Sequence, residues 1–182
     1  MNALGMVETN NIAKGFEVCD GMLKAANVDL ISSNPVCPGK FIILIRGRVA
    51  AVRSSVQTGE TIARDCLVDS FIIANVHQDV FPAISGAVPV AELRAVGVIE
   101  TISLASAVVA GDEAAKASEI ILLEIRLGMA LGGKSFVLFT GEVAAVEAAL
   151  RAGVSRAEGQ GLVLGAVVIP SPHPDLIASL LS

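Results

Sequence analysis

The sequence predicts an α/β protein built from two tandem copies of one small sandwich, each with the order βαββαβ and a short helix at its end. Three observations lead there. The chain repeats itself: LGMVETNNIAKGFEVCDGMLKAANVDLI (4–31) lies over VGVIETISLASAVVAGDEAAKASEIILL (96–123) without a gap. Within each copy, apolar residues switch between a period of two and a period of 3.6, which separates strands from helices. The apolar runs also stop at strand length, as in FIILI (41–45), IILLEI (120–125) and LVLGAVVI (162–169), so no segment reaches the length of a membrane span.

Each unit opens on an alternating strand, 3–9 and 95–101, followed by an amphipathic helix, 12–26 and 104–118. Matched pairs run through both: Gly5 with Gly97, Glu8 with Glu100, Thr9 with Thr101, Asp20 with Asp112, Lys24 with Lys116. Asp20 and Lys24, like Asp112 and Lys116, are spaced i,i+4 and predict a pair on an exposed helix face, worth a few tenths of a kcal/mol. Two strands follow, 28–33 and 41–46 in the first unit, 120–126 and 135–140 in the second. GKFIILIRGRVAAV (39–52) here lies over GKSFVLFTGEVAAV (133–146). A second helix (49–64; 143–159), a fourth strand (67–74; 162–169) and the short terminal helix complete the unit. This order describes a ferredoxin-like sandwich, a mostly antiparallel sheet with helices on one face. The predicted domains are residues 3–85 and 95–182, with GAVPVAELR (86–94) as linker.

Composition narrows the function. Net charge is −5, with no Lys/Arg cluster and few aromatic rings, which argues against nucleic acid. MNALGMVETN has neither a basic nor an apolar export region, so the expected location is cytoplasmic. High mean hydropathy without a membrane span predicts that extra surface is buried against copies of the chain.

Candidate chemistry centres on NPVCPGKF (34–41). Cys37 lies on a Pro/Gly turn, and one thiol cannot complete a zinc or iron–sulfur site, which takes three or four ligands. On residues alone it is either a small turn residue or one ligand among several. Cys19, on the first helix, and Cys66, read as the start of the fourth strand, are expected to be small core residues. Ser54, Ser55 and His77 lack the G-x-S-x-G context of a hydrolase. His77 and His173 recur at matching points of the repeat, which predicts a shared structural role. GMALGGK (128–134) lacks the spacing of a phosphate loop and reads better as a turn whose glycines supply positive φ.

The double E-T strand, the repeated D-x-x-x-K-A helix and the CPGK loop resemble bacterial microcompartment shell domains over essentially residues 3–180. Two unpermuted domains in one chain resemble the tandem-domain, trimer-forming (T-type) shell proteins, and the cysteine in VCPGKF resembles their propanediol-utilisation branch. The resemblance implies a homotrimer that imitates a hexamer, tiles with other shell proteins and encloses enzymes, redox enzymes among them. It places the loop between the second and third strands around a central pore: Cys37, Pro38, Gly39 and Lys40 from the first repeat, Leu131, Gly132, Gly133 and Lys134 from the second. By the same resemblance, Lys24, Lys116, His77 and His173 lie at assembly edges, although the arginine usual before the edge histidine is absent. Cys37 matches a cluster-ligating cysteine, which implies one [4Fe–4S] cluster per trimer, three irons held by three Cys37 thiolates and the fourth by a non-protein ligand. Pro38 would stiffen that turn and Gly39 would let backbones approach. Two other readings stay open: a shell pore that passes a small metabolite without a cluster, with Lys40 and Lys134 as cations favouring anions, and a small α/β ligand-binding or enzymatic domain with a cleft of converging polar groups.

Overall fold

The computed structural model describes residues 3–86, 88–89, 93–128, 132–158 and 162–180. They divide into two compact units, with the boundary between Val76 and His77. The first contains β1 (Ala3–Thr9), α1 (Ile12–Ala25), β2 (Asp29–Val36), β3 (Lys40–Gly47), α2 (Val49–Ala63) and β4 (Leu67–Ile73). The second contains α3 (Val80–Ser85), β5 (Ala95–Thr101), α4 (Leu104–Ala117), β6 (Ile121–Leu127), β7 (Ser135–Gly141), α5 (Val143–Glu158), β8 (Val163–Ile169) and α6 (Pro174–Leu180).

Each unit holds one antiparallel sheet, ordered β2-β3-β1-β4 and β6-β7-β5-β8. This is the expected pair of interlocked split βαβ units. The repeated threonine makes the turn from first strand to first helix in both. Thr9 Oγ1 donates to the Asn11 carbonyl at 3.0 Å and Thr101 Oγ1 to the Ser103 carbonyl at 2.8 Å. Asn11 and Ser103 then cap the helices, each side-chain oxygen accepting a backbone N–H three residues on.

In the first unit, Ala3 and Val7 of β1 and Phe41, Ile43 and Ile45 of β3 pack with Val18, Cys19 and Met22 of α1 and Val52 and Val56 of α2. Gly5 permits that approach, because a Cβ there would lie 2.7 Å from Val52 and Val56. Phe41 is wholly buried and packs against Phe16 with the rings tilted by 50°, centroids 4.7 Å apart. Phe41→Ala is therefore expected to cost about 3–5 kcal/mol, readable as a lower denaturant midpoint for the first unit. In the second unit the opposite sheet face also carries a cluster, of Val96, Leu123 and Leu138, with Ile177 and Leu180 of α6 packed against it.

Three boundaries differ from the sequence reading. The second strand continues past residue 33 to Val36, because β2 is an edge strand and Pro35 needs no ladder donor there. Cys66 does not begin β4; it closes a 3-10 turn, Arg64–Cys66, where its carbonyl accepts the Asn10 N–H at 2.9 Å. The helix ending at Ser85, assigned from sequence to a first domain of 3–85, belongs to the second unit. Its apolar residues Val80 and Ala83 are buried, and it packs on β6 and α4.

Candidate functional site

The β2–β3 hairpin closes at the pair Val36–Lys40, so its loop is only Cys37-Pro38-Gly39. All three loop residues are exposed, whereas Val36 is buried. The Cys37–Pro38 peptide is cis and Gly39 has φ +75°, a region open to glycine at little cost. A Cβ at Gly39 would meet nothing within 4 Å. The thiol thus stands at a tip with open space beside it.

Behind the tip, Lys40 Nζ lies 2.8 Å from Glu8 Oε1, and Glu8 is only 2% exposed. This is a charge pair without hydrogen-bond alignment, since no donor meets that buried oxygen in bonding geometry. The counterpart in the second repeat is Lys134 with Glu100 at 2.9 Å, where Glu100 is 42% exposed. Its loop spans 128–134, with positive φ at Gly128, Gly132 and Gly133; the glycines perform the turn function read from the sequence. Leu131 lies outside the described residues. Pairing of the E-T glutamate with the hairpin lysine was missed from sequence, although the joint recurrence of Glu8/Glu100 and Lys40/Lys134 was a signal for it.

The edge candidates separate. Lys24 and Asp20 form the expected exposed i,i+4 pair, 2.6 Å apart, with Asp20 63% exposed. Asp112 is instead 2% exposed, a correction to the expected solvent-facing pair. One of its oxygens accepts the Lys116 ammonium; the other accepts the backbone N–H of His77 at 2.7 Å. The segment entering α3 has closed over this end of α4, bringing His77 and Lys116 together. His77 and His173 share a local role: each Nδ1 accepts the backbone N–H of the aspartate two residues on, at 3.4 and 3.2 Å.

The remaining polar candidates are structural ties. Ser55 is buried, and its hydroxyl donates to the Met22 carbonyl at 2.7 Å, joining α2 to α1. A cleft of about 800 Å³ in the second unit is lined by His77, Asp79, Arg94, Ser118, Thr140 and Glu142 among others. Several of its polar groups are paired with one another or with the backbone: His77 with Asp79, Arg94 with Glu142, Ser118 with the Ala145 carbonyl, Thr140 with the Ala95 carbonyl; Glu119 also lines it. Cys19 belongs to the first core, while Cys66 is half-buried. Among the described residues, no three His, Cys, Asp or Glu side chains converge on a metal position. Cys37 is the one exposed thiol among them.

The fold and repeated motifs define the class. The family model described as BMC domain matches twice, over residues 3–76 and 95–172, and the chain belongs to this family of bacterial microcompartment shell proteins. It is 41% identical over 174 residues to the bacterial microcompartment shell protein PduT of Citrobacter freundii, covering 96% of this chain and 95% of that one. The carboxysome shell protein CsoS1A of Hydrogenovibrio crunogenus matches a single repeat, 38% identical over 46% of this chain and 90% of its own length. Among solved structures, a microcompartment protein from Desulfitobacterium hafniense superposes with a TM-score of 0.94 at 53% identity, covering 98% of this chain and 99% of that chain. Among the described residues, no helix is long and apolar enough to cross a membrane.

Proposed function

We propose that three copies of this chain form one pseudohexameric tile of a microcompartment shell in the bacterial cytoplasm. Three Cys37 thiolates would meet on its axis and hold one [4Fe–4S] cluster, for electron transfer across the shell or cluster delivery to enzymes inside. The observation that carries this reading is the exposed Cys37 at the tip of a short hairpin, in a chain with two shell domains. Surface chemistry supports assembly. Ile12, Phe16 and Leu23 line one stripe of α1 and are exposed, whereas their repeat equivalents Leu104, Val108 and Ala115 on α4 are buried. An exposed apolar stripe of this kind suits a contact with another subunit.

When bound, such a cluster supplies one-electron storage. Within the chain, Cys37 would be the ligand, and the open side of Gly39 would leave room for neighbouring tips. A pore without iron that selects anions draws less support, because Lys40 and Lys134 each bring a carboxylate with them. The test is native mass measurement, iron quantification and electron paramagnetic resonance on protein purified without oxygen. The expected result is a trimer holding about four irons per three chains, with a reduced-cluster signal. A monomer would overturn the assembly reading. A trimer that stayed iron-free after anaerobic reconstitution would overturn the cluster reading and leave the shell tile.

A further inference from the structure

We infer that the Glu8–Lys40 ion pair is a positioning and charge-setting device for the Cys37 tip; the part concerning iron rests on the reading of Cys37 as a ligand. The hairpin has two anchors at its base. Val36 is buried in front of the loop, and Lys40 behind it is held by a carboxylate on the adjacent strand. Glu8 Oε1 has no partner in hydrogen-bond geometry, so its compensation comes from the nearby charge of Lys40. Lys40 in turn is the first residue after the loop, three positions from the thiol, so its charge lies close to the tip along the chain.

The repeat provides an internal comparison. Both hairpins carry the same lysine–glutamate pair at nearly the same separation, 2.8 and 2.9 Å. The repeat with the cysteine hides the carboxylate, and the repeat without it leaves the carboxylate 42% exposed. The second pair is hydrogen-bonded as well, but water screens its charges. The first is shielded, which strengthens both its restraint on the backbone and its field at the tip. Lys40 is also the residue at which the two hairpins part: it begins strand β3, while Lys134 still lies in its loop ahead of β7.

The test uses the full-length assembled protein and the variants Glu8→Gln, Lys40→Met and the double variant, with Glu100→Gln and Lys134→Met as controls. In iron-free protein, hydrogen exchange of the amides of Val36 and Lys40, the pair that closes the hairpin, is expected to accelerate by about tenfold in each of the two first-repeat single variants. Neither second-repeat control should change exchange at this hairpin. Lys40→Arg, which keeps the charge, should restore protection and guards against a variant that fails to fold. In iron-loaded protein, the midpoint potential should rise in Glu8→Gln, which leaves a positive charge uncompensated. It should fall in Lys40→Met and return toward the parent value in the double variant. Unchanged exchange at the tip in both single variants overturns the positioning role. Potentials that move in the same direction in both overturn the charge role. The exchange measurement needs no iron, so parent protein without iron would sink the ligand reading of Cys37 and still leave the positioning role to be decided by exchange.

Discussion

Cys37→Ser is expected to reduce bound iron from about four per three chains to background, with the brown absorbance and the reduced-state resonance signal lost together. A serine hydroxyl does not ionise near neutral pH and is a hard oxygen donor, so it does not replace a thiolate on iron. The fold should not notice the change. The side chain is exposed at a loop tip, and such substitutions stay within about 0.5 kcal/mol. Unchanged trimer mass and unfolding midpoint are therefore part of the expected result. Cys19→Ser supplies the contrast: it places a hydroxyl among Val18, Met22 and Phe41 and should lower stability while leaving iron bound. Iron retained by Cys37→Ser would remove the assignment of this residue.

Asp112→Ala should be the most disruptive single carboxylate removal among the repeated pairs. It takes away the acceptor of both the Lys116 ammonium and the His77 N–H. Hydrogen bonds to a charged group of this kind contribute about 1.5–3 kcal/mol, and a donor left behind under cover adds a desolvation penalty. The expected loss is about 2–3 kcal/mol, or roughly 5–10 °C in the midpoint for a chain of this size. Asp20→Ala, at the same position of the first repeat, should move stability by no more than about 0.5 kcal/mol, because that pair is open to water on both sides. Thermal unfolding of the two variants side by side checks the pair of values. Equal effects would show that burial at Asp112 carries no energetic weight.

The fold was legible because its signals are local and occur twice. The strands at 3–9 and 95–101 and the helix starts at Ile12 and Leu104 match the structure to the residue. Alternation, periodicity and side-chain caps specify those positions without reference to the rest of the chain. What sequence did not disclose depends on covering by distant segments. Asp20 and Asp112 sit in matching D-x-x-x-K-A motifs, yet one faces water and the other accepts a backbone N–H from 35 positions earlier. No helical pattern reports that. The extent of β2 was hidden for a different reason: Asn34 and Pro35 read as loop by composition, and only the pairing of Pro35 with Phe41 shows that they extend an edge strand. At the site, the loop and its cysteine were visible as a motif. The carboxylate behind Lys40 lies on another strand, opposite Ile42, and becomes evident only once the sheet is assembled.

The unequal hairpins of the two repeats bear on how such a chain acquires a new property. In a closed ring of identical one-domain chains, each loop substitution would appear at every position, including positions where it is useless or harmful. This chain carries a thiol on the loop of residues 37–39, while the loop of 128–134 is free of cysteine. Duplication has uncoupled the two loops. One can be refined as a point of chemistry while the other keeps the spacing of the tile. In the proposed trimer, alternation around the ring would be written into a single polypeptide, and the number of Cys37 thiols presented at its centre would be fixed by covalent linkage, with no sorting of unlike subunits.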